Sequence, residues 1–178
     1  GAMGSAKTLN LLAVAHTYEA QNKKVLILKP DLDARFGKET VRSRSGLEKN
    51  AHILVKPETR LGPSDLADLS CILVDEVQFL TPEFITHLRE ISIKNEIPVL
   101  CFGLRKDFKT KAFPGSARLM ELADCIEEIK STCHYCNKKA VFNMRLVDGK
   151  PVHDGPQVLL GAEESYQSVC GPCYFKQL

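Results

Sequence analysis

The chain has 178 residues, a net charge of +2 at pH 7 and a hydrophobic fraction of 44%. That length allows one α/β domain with a small appendage and excludes two full domains. A charge so close to balance gives no electrostatic reason for a nucleic-acid or membrane partner, and no apolar run approaches the roughly 20 residues of a bilayer span. Four of the seven cysteines form two CxxC pairs, which fits reduced thiols around a metal in the cytoplasm better than a secreted disulfide framework.

The opening Gly1-Ala2-Met3-Gly4-Ser5-Ala6-Lys7-Thr8 is one residue away from the GxxxxGK[ST] phosphate loop, with Ala6 where the second glycine stands. Such a loop turns backbone N–H groups toward phosphates at a helix N-terminus, with a lysine for the β/γ oxygens and a hydroxyl for Mg²⁺. Taken alone, GAMGS also fits the remnant of an expression tag. The TLNLLAVAHTYEAQNK stretch that follows predicts an amphipathic helix, with Leu11, Ala15 and Tyr18 at helical spacing. A phosphate loop ordinarily hangs on a buried strand, so residues forming such a strand are expected ahead of Gly1 in the natural protein.

KKVLILKP reads as a buried parallel strand. Residues 31–46, rich in charge, glycine and serine, read as an exposed loop. AHILV and SCILVDE read as further buried strands, and TPEFITHLREISIKN as a helix with Thr81 as N-cap and Pro82 at its first position. IPVLCFGL is another strand and SARLMELAD another helix. This order implies a parallel sheet with helices on both faces.

The SCILVDE strand ends in Asp75 and Glu76. In phosphoryl-transfer sites a strand-end Asp holds Mg²⁺, and the adjacent carboxylate orients or deprotonates the nucleophile. A strand that simply meets solvent at a polar end is the plainer explanation. The pairing with Lys7 and Thr8 favours an ATP-using enzyme, without deciding between water and a substrate hydroxyl as acceptor.

From about Ser131 the chain is rich in Cys, Gly and Pro, with short strand patterns in AVFNMRLV and PQVLLG. A boundary near residue 130 would separate a nucleotide-binding domain, 1–130, from a smaller one, 131–178, too short to stand on core burial alone. Cys133, Cys136, Cys170 and Cys173 supply the ligand set of a structural Cys₄ zinc site. His134 reads as a solvent-facing neighbour, and Cys71, Cys101 and Cys125 as ordinary buried residues.

Taken together, these segments resemble the type II thymidine kinases, the zinc-containing cytosolic family, over essentially the whole chain. The resemblance rests on the GAM-x-S-x-KT loop, on DEVQF (Asp75 to Phe79), on GLRKDF with Phe113, and on SYQSVCGPCY near the C-terminus. It implies a RecA-like P-loop fold with a small zinc-binding β subdomain and a lasso loop. It implies that ATP and Mg²⁺ are held by Gly1 to Thr8 together with Arg35, Asp75 and Gln78, and that Glu76 is the catalytic base. The nucleoside would be surrounded by Met3, Gln78, Phe79, Leu104, Phe108, Phe113 and Tyr166. Main-chain groups of the lasso, roughly 152–166 and including Val158 and Gly161, would bind the thymine edge. The implied reaction is transfer of the γ-phosphate of ATP to the 5′-hydroxyl of thymidine. The family is typically homotetrameric, cytoplasmic and inhibited by dTTP. Ala6 and Val77 depart from the family pattern, and each aromatic ring has core packing as its plainer role. The alternatives from other classes are a P-loop ATPase, which an ATPase assay with and without thymidine would separate, a helicase fragment, for which the chain is too short, and a zinc-ribbon nucleic-acid module. The latter fits poorly with Asp148, Asp154, Glu163 and Glu164 around the cysteines.

Overall fold

The computed structural model describes residues 1–32, 39–158 and 166–177. Helix α1 (Lys7–Glu19) leads into strand β1 (Lys24–Pro30), followed by β2 (Thr40–Arg42), β3 (Glu48–Asn50), β4 (Ile53–Val55) and the short helix α2 (Pro63–Leu66). Strand β5 (Leu69–Val74) runs into a single 3₁₀ turn at Val77–Phe79, then come α3 (Pro82–Asn95), β6 (Val99–Cys101) and α4 (Pro114–Leu122). The C-terminal part contains β7 (Phe142–Val147), β8 (Lys150–Val152), β9 (Tyr166–Val169) and α5 (Gly171–Phe175).

The main sheet has the order β4-β1-β5-β6, and all its pairings are parallel. Both faces are covered, as the continuous apolar strands anticipate. Alternation along β1 sends Val25 and Ile27 toward Leu11, Leu12 and Ala15 of α1, while Leu26 and Leu28 join Phe84, Ile85, Leu88 and Ile91 of α3. Each fully buried aliphatic side chain of these two cores contributes about 1.5–3 kcal/mol relative to its exposed state. Helix α3 begins as its sequence requires: Thr81 Oγ1 accepts the Phe84 N–H at 3.2 Å, and Pro82 follows at the first position.

Several expectations are corrected. The loop expected over 31–46 contains strand β2 in its second half; β2 pairs with β3, and Val41 is buried against the α1 core. Single-residue alternation over three positions is too short to stand out from a charged stretch. PQVLLG is not a strand where it is described, at residues 156–158; the partners of β7 are β8 and β9. The second CxxC pair carries the short helix α5, which the turn-forming Gly-Pro concealed. Cys125 is exposed, because it follows the end of α4 and lies outside the sheet.

The small antiparallel sheet, order β8-β7-β9, packs its own core of Met144, Val169 and Tyr174 with the paired cysteines. It is fastened to the main body by polar contacts. Asn143 Oδ1 accepts the Met3 N–H at 2.8 Å, Ser168 Oγ donates to the Met3 carbonyl, and Tyr174 OH donates to the Phe108 carbonyl at 2.6 Å. Strands β7 and β9 thereby lie against both the phosphate loop and the segment after β6.

Candidate active site and cysteine cluster

The C-terminal end of β5 opens onto a cavity of about 320 Å³. Parallel α/β sheets place ligands there because the helices that follow the strands turn their N-termini to that edge. Helix α1 starts at Lys7 with Ala6 as its N-cap, and Ala6 makes no side-chain cap hydrogen bond. Its first-turn N–H groups are thus oriented as an anion cradle requires. Ala6 itself stands in the left-handed region, φ 62° and ψ 29°, where a glycine would carry no Cβ penalty. The alanine therefore keeps the turn of a phosphate loop at a cost in strain.

Lys7 is buried, and its Nζ donates to the Ala2 carbonyl at 2.7 Å, closing the loop upon itself. Thr8 Oγ1 donates to Asp75 Oδ2 at 3.1 Å, which brings the loop hydroxyl and the strand-end carboxylate to one point. Two hard oxygen donors so placed fit a Mg²⁺ ion accompanied by phosphates. Asp75 Oδ1 accepts the Glu76 N–H at 3.0 Å. Glu76 also has left-handed backbone, φ 47° and ψ 40°, which turns the chain sharply from β5 into the 3₁₀ turn. Strain of this kind collects at functional sites.

The other end of the cavity is aromatic. Phe79 and Phe113 meet edge to face at 5.8 Å, and Phe108 and Tyr166 at 6.4 Å. Edge-to-face rings are held in place by their quadrupoles as well as by their area. Burial raises the Tyr166 phenol above its ordinary range, so the ring stays neutral. Phe108 and Phe113 are nearly fully buried and also line the cavity, so core and pocket roles coincide there.

Of the residues singled out in the sequence, Met3, Gly4, Ser5, Ala6, Lys7, Thr8, Asp75, Glu76, Gln78, Phe79, Leu104, Phe108, Phe113, Val158 and Tyr166 share this one cavity. Gly1 and Ala2 do not line it. Arg35 and Gly161 lie outside the described residues. Gln78, expected at the nucleotide, has its side-chain amide on Glu76 and on the Leu104 N–H. Val77 is a core residue whose N–H donates to the Phe102 carbonyl at 3.1 Å.

Other lining residues were missed. Arg42 and Arg44 reach the cavity from the β2–β3 hairpin, and Asn143 from β7. Asp107 accepts the Lys109 and Lys111 N–H groups and the Gln157 amide at 2.8–2.9 Å. The Arg-Ser-Arg-Ser run was the one available signal; Asn143 acts through the distant backbone of Met3, and Asp107 through its own loop and the distant Gln157 side chain, and neither carries one.

The four paired cysteines converge, as their spacing predicts. Their sulfurs all lie within 4.8 Å of one another. Cys136 Sγ is 3.6 Å from Cys170 Sγ and 3.8 Å from Cys173 Sγ, against about 3.8 Å across a tetrahedron with Zn–S near 2.3 Å. Burial opposes ionisation of Cys133, yet the Cys170, Tyr135 and Cys136 N–H groups outweigh it and bring the thiol to about 6. Cys173, hydrogen-bonded by Cys170 and then buried, is pushed up to about 12. Four thiolates so close need a cation to ionise together, so the cluster could hold a metal ion. His134 is exposed and is not part of it.

A family profile described as "Thymidine kinase" matches residues 1–174. The thymidine kinase of Lactobacillus acidophilus is 44% identical, covering 98% of this chain and 93% of that protein. That of Chromobacterium violaceum is 43% identical, covering 97% and 94%. That of Enterococcus faecalis is 44% identical, covering 98% and 91%.

Proposed function

This chain belongs to the thymidine kinase family, and from that premise we propose that it transfers the γ-phosphate of ATP to the 5′-hydroxyl of thymidine with Glu76 as the base. The observation that carries the residue assignment is one cavity shared by the phosphate loop, the Asp75-Glu76 pair and four aromatic rings.

Met3 to Thr8 cradle the triphosphate, with backbone N–H groups at the start of α1 and the Lys7 ammonium placed against its charge. Arg42 and Arg44 add positive charge from the hairpin. Thr8 and Asp75 would hold Mg²⁺, which when bound neutralises charge on the β- and γ-phosphates. The rings of Phe79, Phe108, Phe113 and Tyr166 border the nucleoside, with Leu104 and Val158 beside them. Glu76 takes the 5′-hydroxyl proton as that oxygen bonds to the γ-phosphorus; the bond to the bridging oxygen breaks and ADP leaves with its electron pair. Arg35 and Gly161 keep the nucleotide and nucleoside roles that the family resemblance implies.

Zinc is the ion we assign to the cysteine cluster, as a structural Cys₄ site that leaves no open position for chemistry. It would stabilise a separate small domain, 131–178. A cavity continuous from rings to phosphate loop suits a nucleotide bearing both thymine and a triphosphate, so dTTP is assigned as an inhibitor competing at this site. The family resemblance is the ground for a homotetramer, which light scattering would check. No helix among the described residues is long and apolar enough to cross a membrane, and paired reduced thiols suit the cytoplasm.

The test is a radiometric assay of wild type and Glu76→Gln against thymidine, deoxycytidine and deoxyadenosine. Thymidine should be the preferred acceptor. Loss of the base should lower kcat by about 10²–10⁴-fold with little change in thymidine affinity. Equal turnover of all three nucleosides, or an undiminished kcat in Glu76→Gln, would overturn the reading.

A further inference from the structure

Among the described residues, Glu76 is held from two directions. Its backbone is fixed in the left-handed region and its N–H is bound to Asp75. Its carboxylate Oε2 accepts a hydrogen bond of 2.5 Å from Gln78 Nε2. Gln78 is 2% exposed, and its Oε1 accepts the Leu104 N–H at 3.0 Å. A backbone N–H can only donate, so the Gln78 oxygen must face Leu104 and its NH₂ must face Glu76. The Leu104 carbonyl in turn accepts from Ser116 Oγ of α4 at 2.5 Å. One hydrogen-bonded chain therefore runs from α4 through the cavity wall to the carboxylate. Gly103 leaves room for it, since a Cβ there would stand 2.5 Å from Gln78 Oε1 and 2.7 Å from Val77 Cγ1.

We propose that Gln78 is a positioning residue for the phosphoryl transfer: its amide holds the Glu76 carboxylate aimed, and couples it through Leu104 to the wall of the nucleoside pocket. This rests on the reading of Glu76 as the base. Because the same amide is anchored on Leu104, a shift of the wall moves the base. Near-attack geometry is sensitive on that scale, with about 10²-fold lost for about 1 Å. Among the described residues, the other titratable and charged groups facing this cavity are Lys7 of α1, Arg42 and Arg44 of the hairpin, Asp75 at the end of β5, Asp107 after β6 and Tyr166 of β9. All remain in place in the variants below.

The experiment measures kcat and the KM values for thymidine and ATP at neutral pH in wild type, Gln78→Met, Gln78→Glu and Glu76→Gln. Removing the amide in Gln78→Met should lower kcat by about 10-fold with the ATP KM unchanged. Gln78→Glu is isosteric and sets a second carboxylate where the amide met Glu76. The two repel, which turns the Glu76 carboxylate aside, so kcat should fall by at least about 10-fold with the ATP KM unchanged; this variant keeps the test decisive should Gln78→Met fail to fold. An undiminished kcat in Gln78→Glu overturns the proposal. So does a raised ATP KM with an unchanged kcat, which would make Gln78 a nucleotide contact. Should Glu76→Gln keep its kcat, the base assignment fails instead, and the two failures are told apart.

Discussion

Replacing Gly115 by alanine would test how the turn after Glu76 is held, because a methyl group there has nowhere to go. A Cβ on Gly115 would lie 3.0 Å from the Val77 carbonyl oxygen, 3.3 Å from that of Gln78, and closer still to that of Leu80. The shortfall from ordinary van der Waals contact at Leu80 is about 1 Å, and every atom met is backbone, so no rotamer change relieves it. Helix α4 must retreat from the turn that carries Gln78 and Phe79, or the turn must move. Overpacking of this kind costs about 1–3 kcal/mol, whereas the helix-propensity gain of alanine over glycine is at most about 1 kcal/mol, so the net sign is destabilising. Displacement of the turn by about 1 Å should lower kcat by about 10²-fold. Urea unfolding and thymidine-dependent ADP formation read the two effects. Gly149, at φ 74° in the β7–β8 turn with open space around it, is the comparator: its alanine variant should lose about 1 kcal/mol from backbone strain alone and keep its kcat. A Gly115→Ala protein with wild-type midpoint and wild-type kcat would refute the packing argument.

Ala6→Gly should relieve a left-handed backbone strain of about 1–2 kcal/mol, offset by about 0.5–1 kcal/mol of extra unfolded-chain entropy, so the urea midpoint should rise slightly; a lower midpoint would contradict this. Cys170→Ser, or a strong chelator, should remove zinc and release hydrogen-exchange protection in β7 and β9 before the parallel sheet loosens. Freshly purified wild type carrying less than about half an equivalent of zinc would refute the assignment of that ion.

Local patterns in the sequence were enough for whatever depends on neighbours along the chain. Apolar strands flanked by helices made the parallel sheet legible, Thr81-Pro82 marked the start of α3, and CxxC spacing brought each cysteine pair together. Lys7-Thr8 and Asp75-Glu76 announced a phosphate-handling site because loop and strand-end chemistry is written in consecutive residues. The exchange of Ala6 for glycine was visible too, but its left-handed conformation was not. What the tertiary structure alone decided are relations between segments far apart in sequence. Gly115 and Gly103 matter because other backbone and side chains approach them; Asn143 matters because β7 lies beside Met3; Gln78 bridges Glu76 and Leu104. The β2–β3 hairpin brings Arg42 and Arg44 to the cavity, and a charged stretch of three-residue strands has too little periodicity to declare that pairing. Such contacts pair backbone groups or single polar atoms across the fold, and backbone groups are the same at every position. Only the packing of the whole chain selects which of them meet.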